Sequence, residues 1–219
     1  MAETASFSGF SKDAIVFLGD LRANNERAWF NANKKTYERE VKRPAEAFAV
    51  AMSGALEILT KRPHRHKIFR IHRDVRFSKD KTPYNTHLHI GFMPEQDGSP
   101  PAWFFGLDPE KLTLGTGIFG FEKAGLDAFR QRLLGADGDR LADIMTSLES
   151  ERIRWGEPHL KRVPSGFPKD HSRADLLRYK GFSAWIDHDD PMIAAAPDLV
   201  DLCRGDFGRL KPVFDWLSA

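Results

Sequence analysis

The chain is nearly without cysteine. Cys203, in DLCRGDF, is the single one in 219 residues, so no intramolecular disulfide can form and the fold must rest on a buried core. Cys203 itself reads as a buried structural thiol. No apolar run approaches the ~20 residues that a membrane helix needs. The opening MAETASFSGF lacks the basic region and apolar stretch of a secretory signal. These absences predict a cytoplasmic protein with no membrane partner. Charge of one sign is not in excess either. Thirty-three Lys and Arg face 31 Asp and Glu, which argues against a general coat for nucleic acid. There is no internal repeat and no low-complexity linker, so residues 1–219 read as one domain. No G-x-S-x-G elbow is present, and a triad of Ser78, Asp170 and His171 has only its residue types to recommend it.

What is present sorts into elements by hydrophobic spacing. Ser11 is placed to cap a helix carrying Ile15, Leu18 and Leu21. Asn24-Asn25 ends it. A second helix is predicted from Glu26 to Val41, with Trp29, Asn33, Tyr37 and Val41 on one stripe. Pro44 suits the first turn of a third, with Phe48, Met52, Ala55 and Leu59 facing inward. The middle reads as strand. Lys67–His72 can start one. His87–Phe92 alternates, and Ala102–Leu107 and Leu112–Phe119 follow QDGSPP (Gln96–Pro101) and Asp108-Pro109 turns. Connections this short cannot hold helical crossovers, so the sheet should be mostly antiparallel. Helices return at Glu122–Leu134 and Asp139–Leu148, then near Ala174–Tyr179. Two more are expected at Asp190–Arg204 and Phe207–Leu217, interrupted by Pro197 and Pro212. Helices, a meander and helices again predict an α+β fold.

The charge is unevenly placed. Residues 61–81 hold nine Lys or Arg against two Asp. Within this stretch lies RIHRDVRFSKDKTPY, Arg70–Tyr84, with three Arg, two Lys and two Asp in fifteen residues. Ile71, Val75 and Phe77 read as apolar anchors that hold the segment against a core. Pro83 keeps Thr82 extended, so the segment reads as a strand entering a structured loop. Arginines fixed on a scaffold bind carboxylates and phosphates through planar, paired contacts. In a ligand site, Arg70, Arg73, Arg76, Lys79 and Lys81 converge on an anion and Ser78 or Tyr84 orients it. In a structural loop, Asp74 and Asp80 pair with those cations and lock the chain. Five cations over two carboxylates leave a surplus, which favours the ligand site.

Other signals read more plainly. Five of the eight His fall between His64 and His89. His87 and His89 share a strand face, but a zinc site needs a third ligand and the surrounding positive charge repels a dication. They read as histidines on a wet strand face, and no metal is expected. Gly115-Thr-Gly-Ile-Phe-Gly120 matches the letters of a dinucleotide fingerprint without its strand–turn–helix context. It reads as a glycine-rich strand with a close backbone contact. Trp29 suits a core. Asn33 beside it would brace the charged loop. Lys161, Arg162 and His171 form a second cationic group in an irregular stretch.

RDVRFSKDKTPY resembles the signature of an uncharacterised family, domain of unknown function 2461. NNERAWFNANKKTY (Asn24–Tyr37) and LKRVPSGFPKDHSRADLLRYKGF (Leu160–Phe182) are similar to it as well, so the resemblance covers roughly residues 7–182. It carries over no activity and no cofactor. It implies that three segments share one site: Asn25, Trp29 and Lys34; Arg70–Tyr84; and Lys161, Arg162 and His171. The expected function is a basic anion site for a phosphorylated ligand, a nucleotide or a nucleic acid. One alternative is an enzyme acting on a phosphate or carboxylate, with Asp74, Asp80, Tyr84 or His171 moving protons. Another is a non-catalytic interaction module. The expected partner is an anionic small molecule or nucleic acid.

Overall fold

The computed structural model describes residues 7–96 and 98–219. The opening hexapeptide of the signal-sequence reading, and Asp97 of the predicted turn, lie outside the described residues. Six helices, α1 (Lys12–Ala23), α2 (Arg27–Thr36), α3 (Arg43–Thr60), α4 (Lys123–Leu133), α5 (Ala136–Ser147) and α6 (Leu199–Ser218), accompany six strands. The strands are β1 (His64–Ile68), β2 (Leu88–Pro94), β3 (Ala102–Leu107), β4 (Leu112–Ile118), β5 (Arg154–Trp155) and β6 (Phe182–His188). They form one antiparallel sheet in the order β1-β2-β3-β4-β6-β5. The fold is α+β, as the sequence predicts.

Two compact units can be recognised. The first takes the described residues up to Glu95, with Phe104–Leu114 and Asp187–Gly208. Ser11 caps α1 by accepting the Ala14 N–H at 3.1 Å, and its own hydroxyl donates to Glu40 Oε2 at 2.7 Å. An aromatic cluster fills this unit: Phe48 lies 4.5 Å from Phe105, and Phe10 stacks on Phe105. Between α2 and α3 the helix does not stop. It widens into a π-helical segment, Tyr37–Lys42, with the Arg43 N–H bonded to Glu38 O, and Pro44 follows in the first turn of α3, just after the wider turn.

The second unit takes Gln96–Trp103, Gly115–Ile186 and Arg209–Ala219. Trp103 stacks on Phe214 at 4.4 Å, and Phe129 meets Trp216 edge-on. The glycine-rich stretch of β4 is a close-contact strand. A Cβ on Gly117 would stand 2.3 Å from the Phe182 carbonyl oxygen, and one on Gly115 would stand 2.3 Å from the Trp185 ring.

Several sequence expectations need correcting. The strand expected at Lys67–His72 is β1, ending at Ile68, and the next residues are loop. The sheet extends past Phe119, because β5 and β6 come from stretches read as irregular or unassigned. The predicted helix at Asp139 begins three residues earlier, at Ala136, and Leu176–Arg178 is a single 3-10 turn. A 3-10 turn at Pro191–Ala195 and one long helix replace the two last helices, with Pro212 inside α6. Cys203 is fully buried, and burial pushes its thiol well above the ordinary value. Among the described residues, no helix is long and apolar enough to cross a membrane.

Candidate functional site

The segment from Phe69 to His87 joins β1 to β2 as an irregular loop, and its ends are tied. Phe69 N–H donates to His89 O, Asn85 N–H to Ile71 O at 2.7 Å, and Arg73 N–H to Pro83 O at 2.9 Å. His72 and Tyr84 form an isolated antiparallel bridge. A side chain from outside the loop completes the tie. Asn25 Nδ2 donates to Tyr84 O at 2.9 Å, and Tyr84 N–H donates to Asn25 Oδ1 at 3.0 Å. The amide thereby copies the paired bonds of a neighbouring strand. Tyr84 is buried and stacks on Phe30 at 4.2 Å. Its ring packs against Phe30, and the residue also lines one of the clefts described below. Asn33 does not brace the loop, since it bonds the Trp29 carbonyl of its own helix.

Both aspartates are used inside the loop. Arg73 Nη1 donates to Asp80 Oδ2 at 2.5 Å, to Thr82 O at 3.1 Å, and to the Thr82 hydroxyl. Asp80 also accepts the Thr82 N–H at 2.9 Å. The Thr82 backbone bond, then the Arg73 guanidinium, draw the Asp80 carboxyl down to about 2. Asp74 receives a two-pronged contact from Arg76, Nε at 3.0 Å and Nη2 at 2.7 Å, which lowers its pKa and raises that of Arg76. Lys81 Nζ donates to the Val75 carbonyl at 2.9 Å, and Ser78 N–H to the same oxygen. Arg70 and Lys79 make no ion pair among the described residues, and both are exposed. Phe77 is not an anchor. It is 95% exposed at the loop's tip, with the Arg76 guanidinium 5.9 Å from its ring. Ile71 is the buried anchor.

Three open clefts of the first unit share their walls. One of about 440 Å³ lies among Lys34, Tyr37, Glu38, Lys42, Glu46 and the stretch Ile68–His72. The next, about 400 Å³, is lined by Phe69, Arg70, His72, Arg73, Asp74, Asn85, His87 and His89. The third, about 420 Å³, has Arg22, Asn25, Arg73, Asp80, Thr82, Tyr84 and His87 among its walls. Arg70 lines the first two and Arg73 the last two, so the clefts adjoin one another, and together they form the groove discussed below. The α2 segment and the charged loop, grouped by resemblance, therefore do meet through Asn25 and Lys34. Trp29 is absent from these walls and packs half-buried on Phe17. Lys161, Arg162 and His171 belong to the second unit and line none of the three clefts. There His171 Nδ1 accepts the Arg173 N–H at 3.1 Å, a local turn.

The sequence undervalued His87 and His89. They are half-buried, stacked with ring centroids 3.7 Å apart. Burial lowers both pKa values, and that of His89 falls to about 4 with the His87 charge adding to the effect. Both are neutral imidazoles at neutral pH. Their H-x-H spacing was the available signal. The π-helical wall with Tyr37, Glu38 and Lys42 had none, because a 3.6-residue stripe does not reveal a wider turn. Among the described residues, no group of three or more His, Cys, Asp or Glu is arranged to hold a metal ion.

A family model described as "Conserved hypothetical protein (DUF2461)" matches residues 13–216. The chain belongs to this family. The match passes Phe182, where the sequence resemblance ends, and takes in β6 and nearly all of α6, so the family's pattern spans both units. A comparison with curated proteins gives no match.

Proposed function

We propose that the groove of the first unit binds a phosphorylated ligand, and that this ligand is a single strand of nucleic acid. Arg70 carries the reading. It is exposed, makes no close ion pair among the described residues although its charge helps lower the Asp74 pKa, and lines two of the clefts. A guanidinium not locked to a carboxylate, beside two that are, can form a fork with phosphate. Lys34 adds exposed charge in the groove wall, and Lys79 is a further exposed cation of the same loop as Arg70. The groove's open, extended form suits a strand better than a free nucleotide, which favours a pocket that buries most of its surface. Phe69, 47% exposed, and Phe77 offer ring faces next to cations, the combination on which bases stack.

Proton transfer is less well supported. Tyr84 and Asp80 do line a cleft beside Arg73, as an enzyme acting on phosphate would require. Asp80, however, is held near 2, far from the operating pH that suits a general base. Fluorescence anisotropy with a labelled single-stranded oligonucleotide tests the proposal. Salt-dependent binding that an abasic phosphodiester strand retains supports it. Absence of binding at low salt refutes it.

A further inference from the structure

The second unit carries its own cleft, of about 530 Å³, at the β5 edge of the sheet. Trp185 on β6 and Phe119 just past β4 give it two ring faces, 5.5 Å apart and tilted by 38°. Arg154 is the cross-strand partner of Trp185, and its guanidinium lies 5.4 Å from the indole. The sequence makes room for this. The indole rests where a Cβ on Gly115 would stand, and a Cβ on Gly181 would meet the Phe119 carbonyl oxygen at 2.5 Å. A glycine at 115 lets the Trp185 ring lie this close to the backbone, and one at 181 lets the Phe119 backbone approach.

The polar rim is fixed in place. Gly156 N–H donates to Ser183 O at 2.8 Å, and Tyr179 Oη donates to Gly156 O at 2.8 Å. The indole N–H is held by Ser183 Oγ at 2.9 Å. His159 Nδ1 accepts the Lys180 N–H at 3.2 Å, so in the neutral ring Nε2 carries the proton and is a donor. Glu157 supplies an acceptor. Donors and an acceptor thus surround a pair of rings that is already in position, and little ordering is left for a ligand to impose.

We propose that this cleft binds a nucleobase, stacked on Trp185 and Phe119, with its edge read by Arg154, His159 and Glu157. Aromatic and guanidinium planes are the surfaces on which unstacked bases lie. A sugar ring would call for several carboxylates or amides around its hydroxyls. Among the described residues, Glu157 is the only carboxylate lining the cleft, and no Asn or Gln lines it. The site stands apart from the groove reading, because it needs no phosphate.

Uncharged nucleosides separate the two. Adenosine and cytidine are titrated into the full chain while the Trp185 indole N–H is followed by NMR. At least one should give a saturable shift. Truncating a stacking ring typically weakens binding ~5-fold or more, and Phe119→Ala should do so while remaining folded. Arg154→Ala should do the same, and Trp185→Phe should weaken it less than Trp185→Ala. No saturable shift with either nucleoside overturns the proposal. So does an equal shift with methyl glucoside, or undiminished binding by folded Phe119→Ala and Arg154→Ala variants. An abasic phosphodiester strand reports on the groove alone, so failure of one site leaves the other to be judged separately.

Discussion

Asn25 and Tyr84, far apart in sequence, are joined by two hydrogen bonds of 2.9 and 3.0 Å between one side-chain amide and one backbone residue. That relationship explains how a segment rich in charge stays ordered. Asn25 acts as a one-residue strand for the end of the loop, and Tyr84 stacks beneath it on Phe30. The Arg73–Asp80–Thr82 and Arg76–Asp74 contacts then fix the middle. Arg70 and Phe77 remain presented to solvent.

Asn25→Ala leaves two part-buried backbone groups of Tyr84 without partners. The expected loss is about 1–3 kcal/mol of unfolding free energy. Urea denaturation measures it, and Asn33→Ala, whose amide bonds only its own helix, serves as the milder comparison.

Asp80 gives the loop an acid limit. Its folded pKa, about 2, lies below the ~3.9 of an unfolded aspartate. Its stabilising contribution is therefore complete above ~4 and is lost as pH falls through about 2. Protection of the Thr82 amide, the slowing of its exchange relative to an unstructured amide at the same pH, should fall across that window. In Asp80→Asn the same amide should be less protected throughout, with protection that changes less with pH.

His87 and His89 act in the neighbouring range. Their folded pKa values are depressed, so the unfolded chain binds more protons between ~6.5 and the folded value, about 4 for His89. Stability should fall as pH drops through this interval. Replacing His89 by Phe should remove part of the slope. NMR titration of the ring protons gives the pKa values directly, and an unshifted His89 would refute the assignment.

Glycines 115 and 117 should tolerate no side chain. Gly117→Ala places a methyl group against the Phe182 carbonyl and should cost about 1–3 kcal/mol or more by overpacking. Gly120→Ala has open space around it and should be nearly neutral. Paired thermal melts check the contrast.

Much of this was legible in the sequence, for identifiable reasons. The Ser11 cap, the Pro44 helix start and the alternation of Leu88, Ile90 and Phe92 are local signals, and each has its expected counterpart. The glycine-rich strand was readable because the dinucleotide context was missing. β6 was not, since FSAWIDH follows an irregular stretch and pairs with strands distant in sequence. Pro212 misled because a helix can continue past proline when its packing compensates. In the site, residue types announced a charged loop but not its pairing. Which arginine meets which aspartate depends on how the loop closes. Phe77 shows the same limit, because hydrophobicity suggested an anchor where the closed loop turns the ring outward.

The central claim turns on Arg70. Binding of a labelled single-stranded oligonucleotide should be measured against salt for wild type, Arg70→Ala and Arg70→Lys, with folding checked by circular dichroism. The expected result is weaker binding by Arg70→Ala with the slope of log K against log salt reduced by ~0.7 for the lost phosphate contact. Arg70→Lys should keep the slope and lose affinity, since lysine cannot form the fork. A folded Arg70→Ala protein that binds as tightly as wild type, with an unchanged slope, would contradict the assignment of this groove to phosphate.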